Sequence, residues 1–110
     1  MANTFKNFGG AVTTGGNTLY TAPTGVTSIV LHLQAANVDG ATSADLTSHW
    51  TDSSNSNAVC RLGSLIPVGP KSAIPIVVGK LALEPGDTLV FTASADSIIE
   101  ISGTVLEMSS

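Results

Sequence analysis

The chain has 110 residues, which is enough for one domain. Only 11% of them are Asp, Glu, Lys or Arg, against about 25% in an average globular protein, whereas 43% are hydrophobic. Disordered chains combine low hydrophobicity with high charge, so this composition excludes disorder. The net charge of -4 and the lack of any basic cluster exclude an electrostatic footprint for nucleic acid. Small polar residues replace the missing charges, with 13 Ser and 13 Thr, and this favours a β-rich domain with an uncharged surface.

Membrane insertion and export are also not expected. No apolar stretch approaches the roughly 20 residues that cross a bilayer. No apolar core follows Lys6 near the N-terminus, so the sequence predicts no secretory signal. Cys60 is the single cysteine, which excludes an intramolecular disulfide and a zinc site with two or more thiolates. We therefore expect synthesis in a reducing compartment without an export step of its own.

Alternating apolar and polar residues predict a chain made almost wholly of β-strands. Gly, Pro, Ser, Thr and Val interrupt every window long enough for a three-turn helix. The sequence predicts eight short strands, near residues 4–8, 18–21, 26–37, 44–51, 57–65, 72–78, 88–94 and 98–107. In the third strand one face is expected to carry Ile29, Leu31, Leu33 and Ala35, and the other Ser28, Val30, His32 and Gln34.

Turn residues separate these strands at short intervals. Glu84-Pro85-Gly86-Asp87 predicts a type II turn, because the third position of that turn needs positive φ. A tight reversal is expected at Val38–Ala41 and a polar loop at Asp52–Asn57. Pro75 has no N–H to donate, so its strand either lies at a sheet edge or starts after it. Eight strands spaced in this way predict an antiparallel sandwich or a small barrel.

The domain organisation is simple. Glycine pairs at 9–10 and 15–16 predict a partly flexible N-terminal arm of residues 1–16, able to reach a neighbouring molecule. Residues 17–110 are expected to form a single β-sandwich domain. A chain of this size buries roughly 65% of its surface on folding, and no disulfide or metal adds to its stability. Self-association is therefore favoured.

The residues that could carry chemistry are few. His32 and His49 lie on the polar faces of predicted strands, where an exposed or interface histidine is favoured over a base or a shared metal ligand. Cys60 lies in a strand-like stretch and is interpreted as a structural thiol rather than a nucleophile.

The carboxylates and glycines add no recognised site. No two of the eight carboxylates form an acid–base pair within one motif. The spacing of Asp39, Asp45 and Asp52 fits no calcium loop. The glycine pairs lack the Lys and the Ser or Thr of a phosphate loop. The sequence therefore predicts no catalytic, cofactor-binding or metal-binding residues, and a protein that is not an enzyme.

The surface is the remaining source of function. The alternation places Val30, Val90, Ile98 and Leu106 on outward faces that already lack charge. Such faces indicate contact with another protein, because the centres of interfaces are depleted in charged residues. The alternative is a bulge or register shift that turns these residues into the core.

The order of several segments carries a family resemblance. The segments are Leu19–Val30, Ala35–Asn37, Trp50–Ser54, Ile66–Gly69, Lys80–Leu89 with its Leu-x-Pro-Gly-Asp-x-Leu pattern, and Ile101–Glu107. Across residues 4–107 the chain resembles the small virion structural proteins of tailed bacteriophages. The resemblance implies a β-sandwich or jelly roll that is present in many copies on a capsid, neck or tail, often as a trimer, and that carries no catalytic residues.

The functional hypothesis that follows is a non-enzymatic capsid decoration (cement) protein that binds the major capsid protein or another virion protein. It implies a homotrimer on the virion surface, made in the cytoplasm of the bacterial host, with no cofactor and no nucleic-acid or membrane partner. The alternatives are a neck, tail or tail-fibre accessory protein, and a carbohydrate-binding module. Sugar platforms use exposed aromatics, whereas Trp50 and Phe91 are predicted to face inward. A small hydrolase is the third alternative.

Overall fold

The computed structural model describes residues 2–77 and 80–109. The described residues form nine strands: β1 (Ala2–Ala11), β2 (Asn17–Thr21), β3 (Val26–Asn37), β4 (Ala44–Asp52), β5 (Ala58–Val68), β6 (Ala73–Pro75), β7 (Leu81–Leu83), β8 (Thr88–Ala93) and β9 (Ile99–Ser109). A 3-10 turn at Ser53–Asn55 joins β4 to β5. Within these ranges we find no helix that is long and apolar enough to span a membrane.

The strands form two antiparallel sheets that pack face to face. The first sheet has the order β1-β9-β3-β6, with β7 also paired to β3. The second sheet has the order β2-β8-β4-β5. When β6 and β7 are counted as two halves of one strand, this is the order of a jelly roll, in which the chain crosses between two four-stranded sheets at nearly every connection. The predicted all-β antiparallel sandwich is confirmed.

Alternate residues of both sheets fill the space between them. On β8 the buried residues are Leu89, Phe91 and Ala93, and on β9 they are Ile99, Ile101, Gly103 and Val105. The inward orientation predicted for Phe91 is confirmed, and Trp50 is half-buried against the same core. The accessible surface is 5666 Å², close to the roughly 5,600 Å² that the size of the chain predicts for a compact monomer.

All eight predicted strands have counterparts, with two differences at the edge of the first sheet. The sixth predicted strand, 72–78, is shortened to β6. Its last residue lies outside the described residues, and so do residue 1 of the predicted arm and residue 110 of the predicted domain. The three-residue β7 was not predicted. Pro75 lies in the edge strand β6, as its missing N–H requires.

A β-bulge in β3 corrects the predicted faces of that strand. Its pairing with β9 shifts register between Val30 and His32, leaving Leu31 as the extra residue. Before the bulge the inward residues are therefore Ser28 and Val30, and after it they continue with Leu33 and Ala35. Val30, predicted to face outward, is fully buried, and Leu31, predicted to share a face with Leu33, is exposed.

The segment predicted as an N-terminal arm contains β1. Residues 2–11 pair with β9 along their whole length, and Val12 is fully buried. Within one chain these residues therefore complete the first sheet rather than extend from it. Their ability to reach a neighbouring molecule stays a prediction.

Two of the predicted turns are built around an aspartate. The type II turn at 84–87 is confirmed, since Gly86 has a φ of +87° and Asp87 N donates to Glu84 O at 3.0 Å. The loop predicted as a reversal at 38–41 leads from β3 of the first sheet to β4 of the second. There Asp39 accepts from Ala41 N and Thr42 N, and these backbone hydrogen bonds lower the pKa of its carboxyl group.

Asp87 is buried, and its side chain accepts hydrogen bonds both from its own turn and from the 3-10 turn after β4. Its Oδ2 accepts from Glu84 N at 2.9 Å, and its Oδ1 accepts from both the backbone N and the Oγ of Ser53. The side chain thus ties the β7–β8 turn to the end of β4. Donors that lose such an acceptor at a partly buried site destabilise the folded state.

We expect Asp87→Ala to lower the free energy of unfolding by about 2–3 kcal/mol, because Glu84 N and Ser53 N lose their acceptor, whereas Ser53 Oγ keeps the carbonyl O of Pro85. Asp96→Ala is the matched control, since the Asp96 carboxylate is exposed and accepts one hydrogen bond, from Thr14 N. Its cost should be below about 1 kcal/mol. Urea unfolding of both variants measures the difference, and equal losses would contradict the role assigned to Asp87.

Candidate interaction surfaces

The structure separates the residues that were considered for chemistry. His32 lies on the outer face of the first sheet, opposite Thr104. His49 lies on the outer face of the second sheet, opposite Val90 and Arg61. Since the two imidazoles are on opposite sides of the sandwich, they cannot share a metal ion or act together in acid–base catalysis. Burial, and then the nearby cation of Arg61, lower the pKa of His49.

Cys60 is partly buried in β5, directly opposite Trp50 of β4. Its neighbour Arg61 is exposed and pairs with His49. Adjacent strand residues point to opposite faces, so the guanidinium of Arg61 is on the other side of the sheet from the thiol. The structural role expected for Cys60 stays a prediction.

One cluster of acidic groups was not expected from the sequence. Ligand atoms of Asp52, Glu84 and Asp87 all lie within 4.8 Å of one another. Asp52 accepts from Ser54 N, as the residue before the 3-10 turn, and Asp87 holds its own turn. The cluster is therefore explained by two neighbouring turns that are each held by a carboxylate.

A buried polar network joins the two sheets beneath β1. The hydroxyl group of Tyr20, on β2, donates to Glu107 Oε2 at 2.6 Å and lies 2.7 Å from Ser28 Oγ. The Phe8 ring packs on Tyr20, with 5.2 Å between the ring centroids. Burial, and then the hydrogen bond to Glu107, raise the pKa of Tyr20 to about 12. The tyrosine is therefore neutral at physiological pH and acts as a hydrogen-bonded contact between the sheets.

An apolar row crosses the outer face of the first sheet. Its members are directly opposed in register, one from each of β1, β9, β3 and β7: Phe5, Leu106, Ile29 and Ala82. Phe5 is 72% exposed. We call these four residues the apolar row. Exposed Leu31 and half-buried Met108 extend it on the same face.

Charge is almost excluded from that face. Among the outward positions of the strands described in the first sheet, Glu100 is the only Asp, Glu, Lys or Arg. It lies six residues from Leu106 along β9, which is about 20 Å at the rise of a strand. The apolar row therefore lies among Thr, Ser, Asn and Gln, with His32 on the same face, and is depleted in Asp, Glu, Lys and Arg as the centre of a protein interface is.

The outer face of the second sheet is different. It carries pairs of threonines on adjacent strands, Thr51 with Thr88 and Thr47 with Thr92. It also carries Asp45, Arg61 and His49. Half-buried Val90 lies at its centre, and exposed Val59 lies opposite Thr51 on the same face. This face is polar and partly charged, so the two faces of the sandwich differ in kind.

A second apolar surface lies at the edge where β5 faces β6. Exposed residues of β5 at this edge are Leu65 and Ile66. Beside them a cleft of about 200 Å³ opens between the sheets, lined by Leu46, Ser48, Leu62, Gly63, Ile66, Ile74, Pro75 and Ile76. Leu65 has a φ of +52° and its backbone N donates to Thr47 Oγ1, so a bulge interrupts this edge. A bulge of this kind limits edge-to-edge strand pairing.

Comparison with known proteins supports the fold alone. No family model matches the chain, and no curated protein sequence matches it. Among solved structures, a chain from the acid-stable capsid of Helicobacter pylori bacteriophage KHP30 is similar over 100% of this chain and 90% of its own, with a TM-score of 0.59 and 8% identity. A chain from the disulfide-linked pili of Bacillus endospore appendages is similar over 98% and 87%, also with a TM-score of 0.59 and 8% identity.

The Tyr20 network predicts a loss of stability in alkaline solution. The pKa of Tyr20 is about 12 in the folded chain against 10.0 ordinarily, so its stabilisation is complete below pH 10 and is lost as the pH rises through 12. The free energy of unfolding should therefore fall by about 2 kcal/mol more in the wild-type protein than in Tyr20→Phe when the pH is raised from 9 to 12, as unfolding measured at both pH values shows. Tyr20 is the only tyrosine, so tyrosinate absorbance follows it directly. A titration midpoint near 10 in the folded protein would contradict the network.

Proposed function

We propose that this protein is a non-enzymatic structural component of a bacteriophage particle, and more closely a capsid decoration (cement) protein. In this proposal the outer face of the first sheet binds the major capsid protein lattice or a neighbouring copy. The apolar row carries the proposal, because it is an exposed apolar surface in an uncharged setting. The fold shared with a chain of a phage capsid supports the same conclusion.

Many copies strengthen a weak contact. The apolar row presents four side chains, which is small beside a stable interface of about 800 Å² on each partner. On a repetitive shell, however, linked copies bind with an avidity that exceeds the affinity of any one of them. We therefore propose self-association, as a trimer, at the virion surface.

Two alternatives receive less support. The pilus chain has a similar fold, but a polymer joined end to end by disulfides needs more than one thiol per subunit, and Cys60 is the sole cysteine. A carbohydrate-binding role needs exposed aromatic platforms. Of the five aromatic residues, Phe91 and Tyr20 are buried, Phe8 and Trp50 are half-buried, and Phe5 alone is exposed.

Image reconstruction of purified particles that encode this chain tests the proposed location. A decoration protein gives density for the sandwich over every capsomer, with the first sheet against the shell. Density at the portal vertex alone would overturn the decoration role and indicate a neck or tail protein. Absence of the protein from the particle would contradict both.

Placing a charge in the apolar row tests the proposed surface. Leu106→Glu should weaken self-association and shell binding at least about tenfold, because the new carboxylate must be desolvated in the contact. Val90→Glu is the matched control, since Val90 is also half-buried at the centre of an outer face, that of the second sheet. Sedimentation velocity and co-sedimentation with shells lacking the protein measure both variants. A stronger effect of Val90→Glu would assign the contact to the other face.

A further inference from the structure

β1 is held on the sandwich mainly by its backbone, with few side-chain contacts. It is the edge strand of the first sheet, and it pairs with β9 from Ala2↔Ser109 to Ala11↔Glu100. The side chains described in β1 are exposed, apart from half-buried Phe8. A ladder of ten residue pairs therefore fixes the strand, and Phe8 is its one partly buried side chain among those described.

The surface of β9 and Tyr20 on which β1 packs, which we call the seat of β1, fits a Phe-Gly pair. Phe8 lies over Gly103 of β9, where any Cβ would overlap the Phe8 ring, and it also packs on Tyr20. A Cβ at Gly9 would lie 2.5 Å from the carbonyl O of Ile101, so glycine has to follow the aromatic residue. Phe8-Gly9 is the only Phe-Gly pair in the chain. The strand that suits this seat is therefore β1 of this same protein.

The connection between β1 and β2 is a short hinge. Val12 belongs to the strand, because its side chain is fully buried and its N donates to Ile99 O at 2.9 Å. Residues 13–16 then form a surface turn, closed by a hydrogen bond of 3.3 Å from Gly16 N to Thr13 O. Four residues extend to about 14 Å at most. An opened hinge therefore carries β1 to an adjacent molecule and no farther.

We propose that β1 is exchanged between copies of this chain, so that residues 2–12 of one molecule pair with β9 of the next and Phe8 lies over the partner's Gly103. Each contact is the same as in the closed chain, so exchange alters only the hinge and the association of two molecules. This inference rests on the proposed assembly function. It adds backbone hydrogen bonds between neighbouring molecules, whereas the apolar row offers only side-chain contacts. Because each copy both donates and accepts a strand, exchange joins neighbours in a closed ring, such as the proposed trimer, when the rotation between them closes, and in an open filament otherwise.

Two facing residues allow the exchange to be trapped. Asn7 and Thr104 are directly opposed, with 3.0 Å between Thr104 Oγ1 and Asn7 Oδ1. Val12 N donates to Ile99 O, and bonded pairs alternate along an antiparallel ladder. Asn7 and Thr104 are thus a non-hydrogen-bonded pair, whose side chains lie closest. We therefore expect cysteines at these positions to be close enough for a disulfide.

The test places the two cysteines on different chains. Asn7→Cys and Thr104→Cys, each combined with Cys60→Ser, are co-expressed, purified as the assembled protein, oxidised and digested with trypsin. Trypsin separates the two positions into peptides 7–61 and 81–110. A disulfide between these peptides joins two chains, and it rises above the background of random collisions only if β1 of one chain lies on β9 of another. The proposal predicts that this disulfide exceeds the like-with-like disulfides at least about tenfold.

Thr92→Cys in place of Thr104→Cys is the matched control, because Thr92 lies in the same peptide but on the outer face of the second sheet. It should give the mixed disulfide only at background level. If Thr104→Cys gives no more mixed disulfide than this control, exchange is overturned.

A closed variant separates this inference from the proposed function. Asn7→Cys and Thr104→Cys in one chain, oxidised at high dilution, lock β1 onto its own β9. Exchange predicts that the locked protein keeps its circular dichroism spectrum, loses its oligomers and regains them on reduction. Oligomers that persist in the locked protein overturn exchange and leave the proposed assembly function standing.

Discussion

The hydrogen-bond ladder of β9 determines which side chains the molecule buries and which it presents. β9 pairs with β1 on one side and with β3 on the other over nearly its whole length. Since strand residues alternate, Val105 faces the core and Leu106 faces outward, and the register places Phe5 and Ile29 beside Leu106. The same strand supplies Gly103 beneath Phe8. A slip of one residue would reverse both faces, so the core, the apolar row and the seat of β1 depend on one register.

Features with a local cause could be predicted from the sequence. The strand positions follow from alternation, and the turn at 84–87 follows from the φ that Gly86 adopts. The bulge at Leu31 has no comparable local signal, because it arises where β3 pairs with β9 on one side and with the interrupted β6 and β7 on the other. The outward position predicted for Val30 failed for this reason. β7 has only three residues, too few for a period of two to be recognised.

The sequence predicts the composition of the candidate surface but not where on the fold that surface lies. Low charge and many Ser and Thr residues indicate an uncharged surface wherever it lies. The apolar row, however, joins Phe5 near one end of the chain to Leu106 near the other, with Ile29 between them. Only the fold brings these strands together. The acidic cluster was missed for the same reason, since Asp52 is more than thirty residues from Glu84 and meets it through the packing of two turns.

Hydroxyl-radical footprinting tests most directly whether the outer face of the first sheet is the contact surface. Phe5 and Met108 lie on that face, and His49 lies on the opposite one, so each face carries a side chain that oxidises readily. We expect assembly to slow the oxidation of Phe5 and Met108 several-fold and to leave that of His49 unchanged. Unchanged oxidation of Phe5 and Met108 in the assembled protein, with His49 protected, would contradict this expectation.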